Sequence, residues 1–288
     1  MSDQITYPSI GRCIYCGISD PSLTDAHIIP YALAGTWIFR DASCTSCNKI
    51  THRFEGVVAR QIFGKFRAKH NLPTRRPKER PTHFTVGTSS GPRVVSASEH
   101  PSELFIYKFH PPNVLFGLPP TVDVPNWVPI AVYSRDELNA FTKTHNWDQQ
   151  IRVQMRALEY AQMLAKIGHS YAVTVMGYGE FSPLAVDLIL GRTKNISHAV
   201  GGSWDDVPAD PTKQHSAQIQ VVFDAGLRRN FVVVEIRLFA QLGTPIYQVV
   251  VGEISDLRRA RQLVEKLGTP VIEVFSQPLP NPLLKLGP

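Results

Sequence analysis

A chain of 288 residues and 32.1 kDa has room for two domains of ordinary size. Its composition, 43% hydrophobic and 19% charged, excludes a wholly disordered or fibrous chain. No stretch approaches the roughly 20 apolar residues of a membrane span. The net charge of +6 lies entirely early: residues 1–83 carry 12 Lys and Arg against 6 Asp and Glu, whereas residues 84–288 carry 18 of each. Such an imbalance points to a polyanionic partner, nucleic acid being the commonest, or to a solubilising basic face. The opening residues, MSDQITYPSI, place no basic stretch before an apolar run, so a cytoplasmic protein without a secretory leader is expected.

Residues 1–70 hold all four cysteines: Cys13 and Cys16 form one CxxC pair, and Cys44 and Cys47 form another, with 27 residues between the pairs. Two such pairs predict one tetrahedral zinc between two tight knuckles, with Gly17 permitting the first knuckle's turn. Four thiolates leave no open coordination position, so the ion is structural. Two disulfides or redox-active pairs are the alternatives. The absent leader and the absence of a βαβ pattern nearby speak against them. Between the pairs runs LTDAHIIP, containing Asp25 and His27. Asn48 follows the last cysteine directly, and His52 lies four residues further on, in CTSCNKITHRFE.

Apolar residues at three-to-four spacing (Ile50, Phe54, Val57 or Val58, Ile62, Phe66) predict one helix over about 46–69. It would present Asn48 and His52 on a common face. Arg53, Arg60, Lys65, Arg67 and Lys69 interleave with that stripe. Arg75, Arg76, Lys78 and Arg80 continue the basic path through 71–83, NLPTRRPKERPTH, which reads as an extended linker or arm. These nine side chains are candidates for phosphate contact, or simply a solvated basic surface.

Beyond the arm, residues 84–288 read as α+β. Short strands are expected at 84–86, 93–96, 104–109 and 128–133. An amphipathic helix is expected over 149–167, stopped by Gly168, and a short one over 184–190. Strands at 218–223, 231–239 and 246–252 should share a sheet, followed by a helix at 255–267 and a strand at 271–275. His110, His169, His198 and His215 have no ligand-like spacing, and Trp204-Asp205-Asp206 reads as a loop. No residue of this region is assigned chemistry. It is a candidate surface for a protein partner or regulator.

The combination CIYC, DAHIIP, ALAG and CTSCN, over about residues 10–60, resembles the HNH endonuclease family in the form where two CxxC pairs bracket a ββα-metal finger. The resemblance implies an α+β protein with an N-terminal zinc-stabilised finger that hydrolyses DNA phosphodiester bonds. In that reading His27 is the general base. Asn48 ligates a catalytic Mg²⁺ or Mn²⁺, with His52 or Asp25 assisting. A role in bacterial restriction or phage defence goes with a nuclease finger joined to an unrelated second domain. Two positions depart from the pattern. Ala26 stands where an acidic residue directly precedes the base, and the Asn expected between Trp37 and Ser43 is missing, Asp41 being the only short acid there. From the residues alone, His27 also reads as a packing histidine, Asn48 as a helix-terminal hydrogen bonder, His52 as a surface residue and Asp25 as a turn cap. A non-catalytic zinc-finger binding module and an RNA-directed nuclease are the competing functions.

Overall fold

The computed structural model describes residues 4–147, 154–203 and 205–274. The first residues of the expected helix (149–153), Trp204 and Phe275 lie outside them. β1 (Ile5–Tyr7), β2 (Thr24–His27) and β3 (Trp37–Ser43) form a three-stranded sheet, β3 central, with β2 antiparallel and β1 parallel to it. α1 (Thr45–Val57) follows directly, giving the ββα unit.

The expected single helix over 46–69 is three pieces. α1 passes into a π-helical turn (Val58–Ile62), closed by Phe63 N–H on Val58 C=O at 3.0 Å, before α2 (Gly64–Lys69). The extra residue of the π turn shifts the inward face by one. Phe63, not Ile62, is buried; it packs on Tyr160 and Phe239, and Phe66 meets the same Phe239.

Residues 71–83 are folded back on α2. They contain one 3₁₀ turn (Pro77–Glu79), and the Arg67 and Arg80 guanidiniums donate to the carbonyls of Pro73 and Leu72. Two hairpins follow, β4 (His83–Thr88) with β5 (Gly91–Ser96), and β6 (Glu103–Phe109) with β7 (Trp127–Tyr133). α3 (Arg135–His145) was not expected. Its signal was Ser134 ahead of Glu137, whose backbone N–H the serine hydroxyl accepts at 3.4 Å.

α4 (Ala157–Met176) begins later than expected and runs through Gly168 to Gly177. Gly168 is not a stop but a close approach: a Cβ there would lie 3.0 Å from Val249 Cβ and 3.2 Å from Val251 Cγ1. The helix is buried on almost every side, so the expected polar face is absent. Buried polar side chains on it find partners in the fold, as where Gln162 Nε2 donates to Leu188 C=O at 3.0 Å, although His169 Nδ1 has none among the described residues. β8 (Ser182–Pro183), α5 (Val186–Ile189), α6 (Ile196–Ala199) and β9 (Val200–Gly202) lead to the main sheet strands β10 (His215–Asp224), β11 (Arg229–Leu238) and β12 (Tyr247–Glu253). α7 (Leu257–Leu267) returns the chain to β13 (Val271–Val274). The sheet order is β13-β10-β11-β12-β8, with β9 also on β12.

α4 lies between this sheet and the N-terminal unit, and one continuous core joins the two. His169 Nε2–H donates to Ile14 C=O at 2.8 Å, the Tyr15 and Ser170 hydroxyls meet at 3.3 Å, and Trp37 stacks on Tyr171. The fold is α+β, an N-terminal ββα unit followed by a larger mixed region. Among the described residues no helix is long and apolar enough to cross a membrane.

Candidate active site and metal centres

The four cysteine sulfurs lie within 4.8 Å of one another, Cys16 Sγ and Cys44 Sγ at 3.7 Å, and all four are free thiols. Sulfurs around a tetrahedral zinc sit about 3.8 Å apart, given a Zn–S bond of about 2.3 Å. The cluster therefore fits a zinc ion shared by all four sulfurs. Each half is built locally. Cys13 N–H donates to Ile18 C=O at 2.8 Å and Gly17 N–H to Cys13 C=O at 2.9 Å, Gly17 taking a left-handed φ of 77°. Cys44 caps α1, and Cys47 lies in its first turn.

The same α1 start puts Asn48 beside β2. Asn48 Nδ2 donates to Thr24 Oγ1 at 3.0 Å, and Thr24 Oγ1 donates in turn to Ser43 C=O at 3.1 Å. Because the threonine's proton is committed to Ser43, its lone pair must accept from the asparagine. That fixes the amide, and Oδ1 is left for another partner. His52, exposed, projects one turn further along. His27 stands opposite at the end of β2, half-buried, its ring centroid 5.4 Å from that of Tyr31 in an edge-to-face contact. These side chains line one cleft of about 630 Å³. Burial, then the charges of Lys166 and Arg75, lower the His27 pKa against the opposing pull of Glu55 and Asp25. The imidazole is therefore neutral at neutral pH, the form that accepts a proton.

Residues 13–62 match the HNH endonuclease family model. The N-terminal unit is an HNH domain. No curated protein and no solved structure matches the chain. An HNH domain implies a nucleic-acid substrate and a nuclease's chemistry.

Around the HNH cleft the basic residues divide. Arg60, Arg67, Arg75, Arg76 and Arg80 line it; Arg53, Lys65, Lys69 and Lys78 do not. Arg67 is spent inside the fold, donating to the carbonyls of Ala32, Ala59 and Pro73 at 2.7–3.0 Å. Lys69 is likewise committed, to His100 C=O at 2.7 Å and Glu137 at 3.0 Å, and Lys65 lies 3.7 Å from Glu103. Arg53 and Lys78 are exposed elsewhere. Arg76 pairs with Glu79 at 3.3 Å across the arm's 3₁₀ turn. Arg60 lies over Gly56, its guanidinium 3.1 Å from where a Cβ would stand.

Asp25 borders the cleft, but its carboxylate is engaged. Oδ1 accepts Asp41 N–H at 3.0 Å and Oδ2 faces Arg40 Nε at 3.3 Å, beside a register shift between Thr24 and Ala26. Asp41 does not line the cleft, and it adopts a left-handed φ of 47° in β3. Three further residues at the centre carried no sequence signal of their own: Thr24, Glu55 and Lys166. Thr24 and Glu55 lie within the motif region but match none of its named positions. Lys166 lies 104 residues past the end of the family match.

Proposed function

We propose that the protein is a metal-dependent endonuclease that hydrolyses DNA phosphodiester bonds, in the setting of restriction or phage defence. Residues 1–70 are its cutting finger, 71–83 its basic arm and 84–288 an accessory or regulatory region. The observation that carries the reading is His27, half-buried with its pKa lowered by burial, across one cleft from Asn48 and His52, under an arginine rim.

His27 takes the proton from the attacking water. Asn48 Oδ1 and the His52 ring would hold the divalent ion, an amide-oxygen and imidazole pair whose donor chemistry suits Mn²⁺ or Mg²⁺. Such an ion, when bound, lowers the cost of the charge that builds on the phosphate and the leaving 3′ oxygen. Arg60, Arg75, Arg76 and Arg80 neutralise neighbouring phosphates, and the products carry a 5′ phosphate and a 3′ hydroxyl.

The test is nicking of supercoiled plasmid with Mg²⁺, Mn²⁺ or EDTA. His27→Ala should retain zinc, folding and DNA affinity while nicking falls about 10²–10⁴-fold, the usual contribution of a positioned base. Equal nicking rates for the variant and the wild type would overturn His27 as the base, and no metal-dependent nicking by the wild type would favour the binding module, a reading that Ala26 and the occupied carboxylate of Asp25 favour. Faster cleavage of an RNA of the same sequence would redirect it to RNA.

A further inference from the structure

One side chain in the HNH cleft comes from well outside the HNH segment. Lys166, from the middle of α4, is 2% exposed. An ammonium has three N–H donors, and three acceptors meet it here. They are the backbone carbonyl of His27, that of Ile28 at 3.1 Å, and the Glu55 carboxylate at 2.9 Å. Two of its N–H groups donate to the carbonyls and its charge is paired with Glu55, so the ammonium is engaged inside the fold although it borders the cleft.

Its acceptors belong to both halves of the centre. His27 and Ile28 are where β2 ends; beyond the ladder with β3, Ile28 N–H still reaches Trp37 C=O at 2.8 Å. The His27 and Ile28 carbonyls have Lys166 as their donor. Glu55 lies on α1, one turn past His52 and two past Asn48, on the cleft-facing side. Lys166 thus ties the base-bearing strand to the ligand-bearing helix. α4 is itself held to the finger by the contacts of His169, Ser170 and Tyr171 just downstream.

We infer that Lys166 is a positioning residue of the nuclease centre, fixing the His27 strand end against the helix of Asn48 and His52, so that the region after residue 83 completes the HNH site. The inference rests on the nuclease reading. A charged side chain buried at this seam makes seating of α4 a condition for an assembled centre, because an unpaired buried ammonium is strongly disfavoured.

The experiment uses the full chain with Lys166→Met, which keeps the apolar stem and removes the donors. Single-turnover nicking, duplex binding in EDTA, zinc content and hydrogen exchange of residues 25–29 are measured together. The expected result is a cleavage rate lower by about 10–100-fold, the scale of an ångström-sized misplacement. Affinity and zinc should stay within about twofold, and exchange at 25–29 should quicken about tenfold while 37–43 keeps its protection.

If Lys166→Met fails to fold, Lys166→Met with Glu55→Gln removes the stranded carboxylate as well and takes the same measurements. Because the pair acts as a unit, the double variant should cut no more slowly than the single one. Unchanged cleavage in a folded variant, or a rate loss matched by zinc loss, overturns the proposal. A wild type that does not nick removes the nuclease reading instead. The exchange of 25–29 then still decides whether Lys166 holds the strand, and no change there overturns that too.

Discussion

Acid should loosen the seam between the finger and the main sheet, and His215 allows the size of the effect to be worked out. His215 Nε2–H donates to Leu33 C=O at 2.8 Å, and its Nδ1 accepts Phe239 N–H at 3.2 Å. Both ring nitrogens of the neutral imidazole are thus matched. A proton added at Nδ1 would point at another donor. Burial, the larger effect, pushes its pKa down to about 4, against the opposing help of the Leu33 carbonyl. In the unfolded chain the value is about 6.5. The unfolded state therefore binds the proton first, so the stabilisation is complete above about pH 6.5 and is lost as pH falls toward 4. At pH 5 the two pKa values imply a loss of about 2 kcal/mol relative to pH 8. Glutamine can donate to Leu33 and accept from Phe239 without titrating, so His215→Gln is the reference. Urea unfolding at pH 8 and pH 5 should show the wild type's advantage over this variant shrinking by about 2 kcal/mol. Zinc loss and the other titrating groups affect both proteins and cancel in the difference. Parallel stability–pH curves would refute the reasoning.

Cys44→Ser should lose the one zinc per chain by elemental analysis and destabilise residues 1–70, because ligand energy here is folding energy. Neutralising Arg75, Arg76, Lys78 and Arg80 together should weaken binding to any duplex and lower the log–log salt slope by up to about 3 or 4, read from titrations at several salt concentrations. Lys69→Gln, by contrast, should leave that slope unchanged, since its ammonium is already bonded to His100 and Glu137. Asn48→Ala should lose nicking but recover in part at high Mn²⁺ or Mg²⁺, because a missing ligand weakens ion binding and leaves the proton acceptor in place.

The zinc pairs and the ββα unit were legible because short-range geometry sets them: a CxxC knuckle closes within a few residues, and α1 starts at the second pair itself. The strands of the main sheet were legible for the same reason, as runs such as VVVEIRL in β11 and QVVVG in β12 have no other stable use. What escaped depends on contacts distant in sequence. Gly168 reads as a helix stop until Val249 and Val251 are seen against it, and a helix buried on all sides carries no amphipathic signature. Arg67 and Lys69 sit in an evenly basic pattern, yet only the fold turns them toward backbone carbonyls while Arg75 and Arg80 border the cleft. Lys166 is the sharpest case: nothing in LAKIGH points to a carbonyl 139 residues earlier.

Asp25 tests how far the motif can be read by position alone. At two residues before His27 it shares a strand face with the base, which would make it a displaced acidic ligand for the catalytic ion. The structure gives its carboxylate other work: it receives the Asp41 N–H and faces Arg40, bracing β2 against β3 where the register shifts. Asp41 is held at a left-handed φ, a conformation that a fixed amide partner helps to maintain. Both members of the ion pair are about half exposed, so the pair contributes no more than about 1 kcal/mol. Asp25→Asn keeps an acceptor for Asp41 N–H and removes the charge. It should lose at most that much stability and should nick within about fivefold of wild type, the rate equivalent of 1 kcal/mol. A loss as deep as that of Asn48→Ala, relieved by the same excess of Mn²⁺, would instead make Asp25 a ligand and leave Arg40 as the group that holds it in place.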